Sequence, residues 1–235
     1  MRRVSIRTLQ NRQVLLSLNR FFYVLKPIEA DAQIELNSAT FEQPAKVGYK
    51  IMQKVEKENI QHFEVFEEQD WLVNTDETNK FVSFYSLSEV IASQSNSFPL
   101  AKHQHRSSKK VVDMKKACFN QVTGLLIADK MGEIGFINIA NIDRLPSEQA
   151  IEEEKKALEL PEGELPPFEE SDVYKTLYGH QETCLGLELS NDSKLIASCD
   201  TLKKINVVTW PNVFNLQSVM LEHTLPIYYM CFVGP

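Results

Sequence analysis

Few side chains in this 235-residue chain stand at spacings that serve chemistry. His180 could act as a general base, because an imidazole titrates near neutral pH. A lone histidine directly after Gly179 nevertheless reads better as a turn residue, hydrogen-bonded within its own structural unit, and His223 reads the same way. Asp76, Asp129 and Asp200 each close an apolar run; a carboxylate there can fold onto nearby backbone N–H groups, which makes the three aspartates turn formers. Cys118, Cys184, Cys199 and Cys231 show no CxxC spacing, so small thiols in a reducing compartment, and no zinc site, are expected. The sequence holds no phosphate-binding Gly-rich loop, no nucleophile elbow and no HExxH. With 8 glycines in all, a dinucleotide-binding domain has little support. A protein without a catalytic, cofactor or metal site of its own is the expectation.

The elements that would carry these residues are short strands. The alternating run Cys184 to Leu189 is followed by the polar turn Ser190, Asn191, Asp192, Ser193, then by an apolar run ending at Asp200 and a second tight turn, 201–203. The run Ile205, Val207, Val208, Trp210 completes the unit. The same relation of aspartate to next strand recurs: Asp76 stands five residues before Phe81, Asp129 five before Ile134 and Asp200 five before Ile205. A Glu222-His223 pair follows His180 at forty-three residues, a period that belongs to repeat architecture. Three strands, two polar turns and an opening Gly-His resemble one blade of a WD-repeat propeller. The fold class expected is therefore all-β, a WD-repeat β-propeller that is incomplete, with about three blades and the start of a fourth.

The expected division is an N-terminal segment 1–45 offering a closing strand, a first blade over 46–92, a polar loop over 93–108 and a second blade over 109–144. An acidic insert over 145–172, a third blade over 173–215 and a truncated fourth blade over 216–235 complete it. A closed propeller takes about 4–8 blades, so the chain reads as a fragment of a longer propeller or a truncated gene model. In the acidic insert a short helix fits 148–158, and Pro161, Pro166 and Pro167 stop anything longer. The rest of the insert reads as a protruding, largely disordered loop.

A net charge of −7 argues against an autonomous nucleic-acid binder held mainly by phosphates. No apolar stretch reaches about 18 residues, the length that would suggest a membrane span. Arg2, Arg3, Arg7, Arg12 and Arg20 precede the first acid, Glu29, and such a start can be an organelle transit peptide. The alternative is strand material, since 14–18 and 21–25 are continuous apolar runs rather than a spaced helical stripe. Lys109, Lys110, Lys115 and Lys116 form the densest basic cluster; they could touch RNA phosphates or guard an edge strand against aggregation.

Two stretches resemble one family in particular. Residues 110–119 lead into Leu125-Leu126-Ile127-Ala128-Asp129-Lys130-Met131-Gly132-Glu133-Ile134, and Gly179-His180 leads into Ser198-Cys199-Asp200-Thr201-Leu202-Lys203-Lys204-Ile205-Asn206-Val207 and Leu221-Glu222-His223-Thr224. Together they are similar to the WD-repeat non-catalytic subunit of the tRNA guanine-N7 methyltransferase. The resemblance implies a scaffold that stabilises a separate catalytic subunit as a heterodimer and meets tRNA only indirectly. The partner, not this chain, would bind S-adenosylmethionine. It implies a nuclear setting that can extend to the cytoplasm, and no membrane. It also implies a partner-binding edge at Asp200, Lys203, Lys204 and Asn206. The chain departs from the pattern there: Asn206 stands where the family has a basic residue paired with the catalytic subunit, Leu202 replaces a second turn aspartate and Val208 the usual tryptophan. A generic WD-repeat adaptor in another protein assembly is the competing reading.

Overall fold

The apolar runs become strands, and within each sheet a strand pairs with its neighbour in sequence, most through short turns, with longer connections before β4, β8 and β12. The computed structural model describes residues 4–18, 21–27, 49–56, 60–76, 80–93, 98–119, 122–161 and 173–233. The first sheet is the meander β1 (Val4–Thr8), β2 (Val14–Leu18), β3 (Phe21–Pro27) and β4 (Tyr49–Glu56). The second is β5 (Ile60–Phe66), β6 (Trp71–Asp76), β7 (Phe81–Ser86) and β8 (His103–Arg106). The third is β9 (Val111–Phe119), β10 (Val122–Asp129), β11 (Glu133–Asn138) and β12 (Tyr174–Gly179). The fourth is β13 (Cys184–Leu189), β14 (Leu195–Asp200), β15 (Ile205–Thr209) and β16 (Leu216–Met220). All pairings are antiparallel.

The sheets follow one another face to face in chain order, with first strands side by side: β1 by β5, β5 by β9 and β9 by β13. One core joins the first three sheets through Leu15, Phe22, Phe63, Phe66, Leu72 and Ile127, and a second joins the last two through Leu126, Ile134, Leu187, Ile196 and Val208. Phe22 meets Phe63 edge-on, with ring centroids 5.4 Å apart. Truncating one such ring to alanine typically costs about 3–5 kcal/mol, through lost transfer energy and the cavity left behind.

Four four-stranded sheets replace the expected three blades and a start. Segment 1–45 supplies three strands of a complete sheet, and the expected first blade gives up Tyr49–Glu56 to that sheet. The polar loop expected over 93–108 contains β8, in which Gln104 and His105 are buried. Polarity misleads at this point because the Gln104 amide is satisfied inside, donating to Ser83 Oγ at 3.0 Å. The stretch 216–235 opens on β16, the last strand of the fourth sheet, and 221–233 carries no strand. A helix, α1 (Leu87–Ala92), follows the second sheet's third strand, capped by Ser86. Within the acidic stretch α2 (Glu148–Ala157) forms as the sequence allowed: the Ser147 side chain accepts from Ala150 N, and Glu148 Oε2 accepts from Ala101 N at 2.7 Å. Residues 162–172, the remainder of the expected disordered loop, lie outside the described residues. No described helix is long and apolar enough to cross a membrane.

Candidate interaction site on the turns of the third and fourth sheets

His180 leaves the end of β12 and turns its ring into the seam between the third and fourth sheets. Its Nδ1 lies 2.9 Å from Asp200 Oδ2, and its Nε2 lies 2.7 Å from Ser198 Oγ. Tyr178 OH reaches the same hydroxyl at 3.0 Å. Serine, histidine and aspartate in this order have the spacing of a nucleophile relay. Accessibility decides otherwise: the side chains of His180 and Asp200 are 0% exposed and Ser198 is 0% exposed, so no substrate reaches the hydroxyl. The relay is a clamp that fixes β14 against β12. Burial pushes the His180 imidazole below its ordinary range, against the opposing pull of Asp200. Burial likewise raises the Tyr178 phenol.

Two aspartates shape equivalent turns on neighbouring sheets. Asp129 Oδ1 accepts from Met131 N at 2.8 Å and Glu133 N at 3.0 Å. Asp200 Oδ1 accepts from Lys204 N at 3.0 Å while its other oxygen holds His180. Three residues past each aspartate the backbone enters the left-handed region, with φ 88° at Gly132 and 70° at Lys203. Glycine is required at the first, because a Cβ on Gly132 would lie 2.4 Å from Glu182 O and 2.8 Å from His180 O. The close approach also ties the loops together. His180 N donates to Gly132 O at 2.9 Å and Thr201 N to Thr183 O at 3.0 Å, so turn 129–132, loop 180–183 and turn 200–204 form one continuous rim.

The residues marked in the sequence divide between this rim and the interior. Lys203 and Lys204 are half-exposed on the turn. Asp200 is enclosed and Asn206, on β15 between Ser198 and Val219, is 9% exposed, so neither offers a partner a side chain. The physical reason is strand register, which turns Asn206 onto the same face as Ser198. The four-lysine cluster does not converge. Lys109 and Lys110 lie before β9, Lys115 pairs with Glu188 at 3.0 Å, and Lys116 lies 5.1 Å from the centroid of the Phe66 ring. Successive strand residues point to opposite faces, which separates 115 from 116. Asp76 ends β6, its side chain outside the described residues, and His223 is exposed on the strandless stretch after β16. Cys184 and Cys199 are buried, Cys118 and Cys231 exposed, and all four are free thiols.

The sequence reading missed a set of polar pairs where the first strands meet. Arg7 on β1 grips Glu64 on β5 through two bonds, of 2.9 Å and 2.5 Å. His62 Nδ1 on β5 lies 3.4 Å from Asp113 Oδ1 on β9, and Asp113 Oδ2 accepts from Leu187 N on β13 at 3.0 Å. Lys115 to Glu188 repeats the β9 to β13 link. Each junction between sheets thus carries a polar tie around a cavity of about 430 Å³. The available signal was a charge at an inward position of each first strand, which alternation alone marks as anomalous.

Against solved structures the chain resembles one from the crystal structure of the mitotic checkpoint complex, with a TM-score of 0.53 and 12% identity, over 95% of this chain and 52% of that chain. The fold is a WD-repeat β-propeller. The chain spans about half the length of the solved chain it matches, and at this identity the likeness carries fold alone. No protein-family model matches the sequence, and no curated protein does.

Proposed function

We propose that this chain is the non-catalytic scaffold subunit of a tRNA guanine-N7 methyltransferase, holding and stabilising the catalytic subunit that forms 7-methylguanosine. The observation that carries the reading is the turn 200–204. It lies within the stretch similar to that family, it is held rigid by Asp200, and it leaves Lys203 and Lys204 half-exposed. A preorganised charged turn suits recognition, since little ordering entropy is lost on binding. Among the described residues, the His180–Ser198–Asp200 relay is sealed from solvent; on this reading the partner does the chemistry and binds S-adenosylmethionine.

One observation favours a second reading, a WD-repeat adaptor in another protein assembly. Asn206, where the family carries its basic contact, is buried as well as uncharged. Co-purification from cells expressing the tagged chain separates the two. Recovery of a tRNA guanine-N7 methyltransferase subunit supports the first; recovery of a cullin adaptor or a ribosome-assembly factor in its place replaces it with the second.

A further inference from the structure

The two equivalent turns share one more property. Two residues past the aspartate, each projects a large aliphatic side chain into solvent: Met131, 62% exposed, and Leu202, 56% exposed. Both backbones are fixed, by the Asp129 and Asp200 carboxylates and by the bonds joining the rim. Such side chains on rigid turns are not folding liabilities by accident of a flexible loop; they are presented at one position on two successive sheets.

The charge around them is one-sided. Lys109 and Lys130 are exposed, and Lys110, Lys203 and Lys204 are half-exposed. Lys110 joins the same rim because its carbonyl accepts from Lys130 N at 2.8 Å. Of the nearby acids Asp129 and Asp200 are buried, and Glu133 accepts from Tyr174 OH at 2.7 Å and Thr176 Oγ1 at 2.6 Å. Glu182 is the exposed acid of the rim. Five lysines at the surface, against the buried carboxylates of Asp129 and Asp200, the half-exposed Glu133 and the exposed Glu182, leave this rim with a slight positive excess on a chain of net charge −7.

We infer that the rim formed by turns 129–132 and 200–204 is a protein-docking surface, with Met131 and Leu202 as apolar anchors and Lys109, Lys110, Lys130, Lys203 and Lys204 as its charged surround. The partner it fits is a protein surface bearing aliphatic or aromatic side chains among aspartates and glutamates. Anchors at the centre with charge at the edge are how such interfaces divide their work: burial of the anchors supplies affinity, and charge complementarity supplies association rate and register. RNA fits less well, because two aliphatic side chains would face phosphates. The surface stands on its own geometry; its assignment to a methyltransferase subunit rests on the function proposed above.

The test uses the full chain and two probes, an amphipathic peptide of leucine and glutamate and the catalytic tRNA guanine-N7 methyltransferase subunit. The wild type should bind the acidic peptide at low salt and ignore a leucine–lysine counterpart. The Met131→Asp, Leu202→Asp double variant should lose at least about tenfold in affinity, a difference of about 1.4 kcal/mol, with its thermal transition unchanged. If that variant misfolds, Met131→Ala with Leu202→Ala serves, with a loss of the same direction. Failure of the wild type to bind the acidic peptide, equal binding of both peptides, or undiminished binding by the folded variants overturns the surface. So does competition by tRNA that the variants leave unaltered. Peptide binding without methyltransferase binding keeps the surface and removes the proposed function. Methyltransferase binding that both double variants leave intact keeps the function and removes the surface.

Discussion

His180 Nδ1 and Asp200 Oδ2 meet at 2.9 Å with both side chains sealed from solvent, and that contact joins the third sheet to the fourth. Removing one partner strands the other in a medium that cannot solvate it. His180→Ala should therefore cost about 3 kcal/mol, the range seen when a buried polar pair loses one member. A shift of the urea midpoint at unchanged slope is the expected result; a change under about 0.5 kcal/mol would show the pair to be dispensable.

Acid should destabilise the fold earlier than carboxylate protonation alone would explain. Burial holds His180 below its ordinary value and pushes His105 down to about 4, where it stacks on Tyr174 with centroids 4.9 Å apart. A base with a lowered folded value binds its proton first in the unfolded chain. Stability is thus fully present above about pH 6.5 and falls as pH drops from there toward 4. For His105 the loss amounts to on the order of 3 kcal/mol. Thermal scans between pH 7.5 and 4.5 measure it, and His105→Phe should flatten the slope.

The fold was legible where local chemistry dictates structure. Alternation marked β13, apolar runs closed by an aspartate marked β6, β10 and β14, and the aspartates at 129 and 200 announced their turns because a short carboxylate can accept from turn amides. Sheet membership was not legible, since β4 and β8 join sheets through pairing partners that no local pattern specifies. Nor was the relay at His180: Tyr178 and Ser198 meet through packing of two sheets, and their spacing of twenty residues carries no signal by itself.

Thiol reactivity should divide the cysteines in pairs. Burial raises the Cys184 thiol to about 12 and the Cys199 thiol to about 11, leaving little thiolate at neutral pH. Cys118 and Cys231 are exposed and should react with a thiol reagent in the native state, the other two only on unfolding. Rapid reaction of more than two thiols in the folded protein would contradict the packing of the fourth sheet.

Breaking the Arg7–Glu64 tie should weaken the junction of the first and second sheets. Glu64 is 6% exposed and its carboxylate is taken by the partly exposed Arg7, so Arg7→Ala leaves that carboxylate short of its partner at a cost of about 1–3 kcal/mol. Arg7→Ala combined with Glu64→Leu should recover most of that loss, since the stranded charge is gone. Equal destabilisation by the single and double changes would mean that packing rather than charge governs the site.

The charged turn is tested most directly by calorimetric titration of the catalytic tRNA guanine-N7 methyltransferase subunit into the full chain, with methyl transfer to tRNA read in the same mixtures. Association with the wild type, methyl transfer in the mixture and none by this chain alone are the expected results. The Lys203→Glu, Lys204→Glu variant should bind at least about tenfold more weakly, since a partly desolvated charge pair typically costs about 2–5 kcal/mol when one member is lost. No heat of association, or micromolar binding of S-adenosylmethionine by this chain alone, would contradict the proposed function.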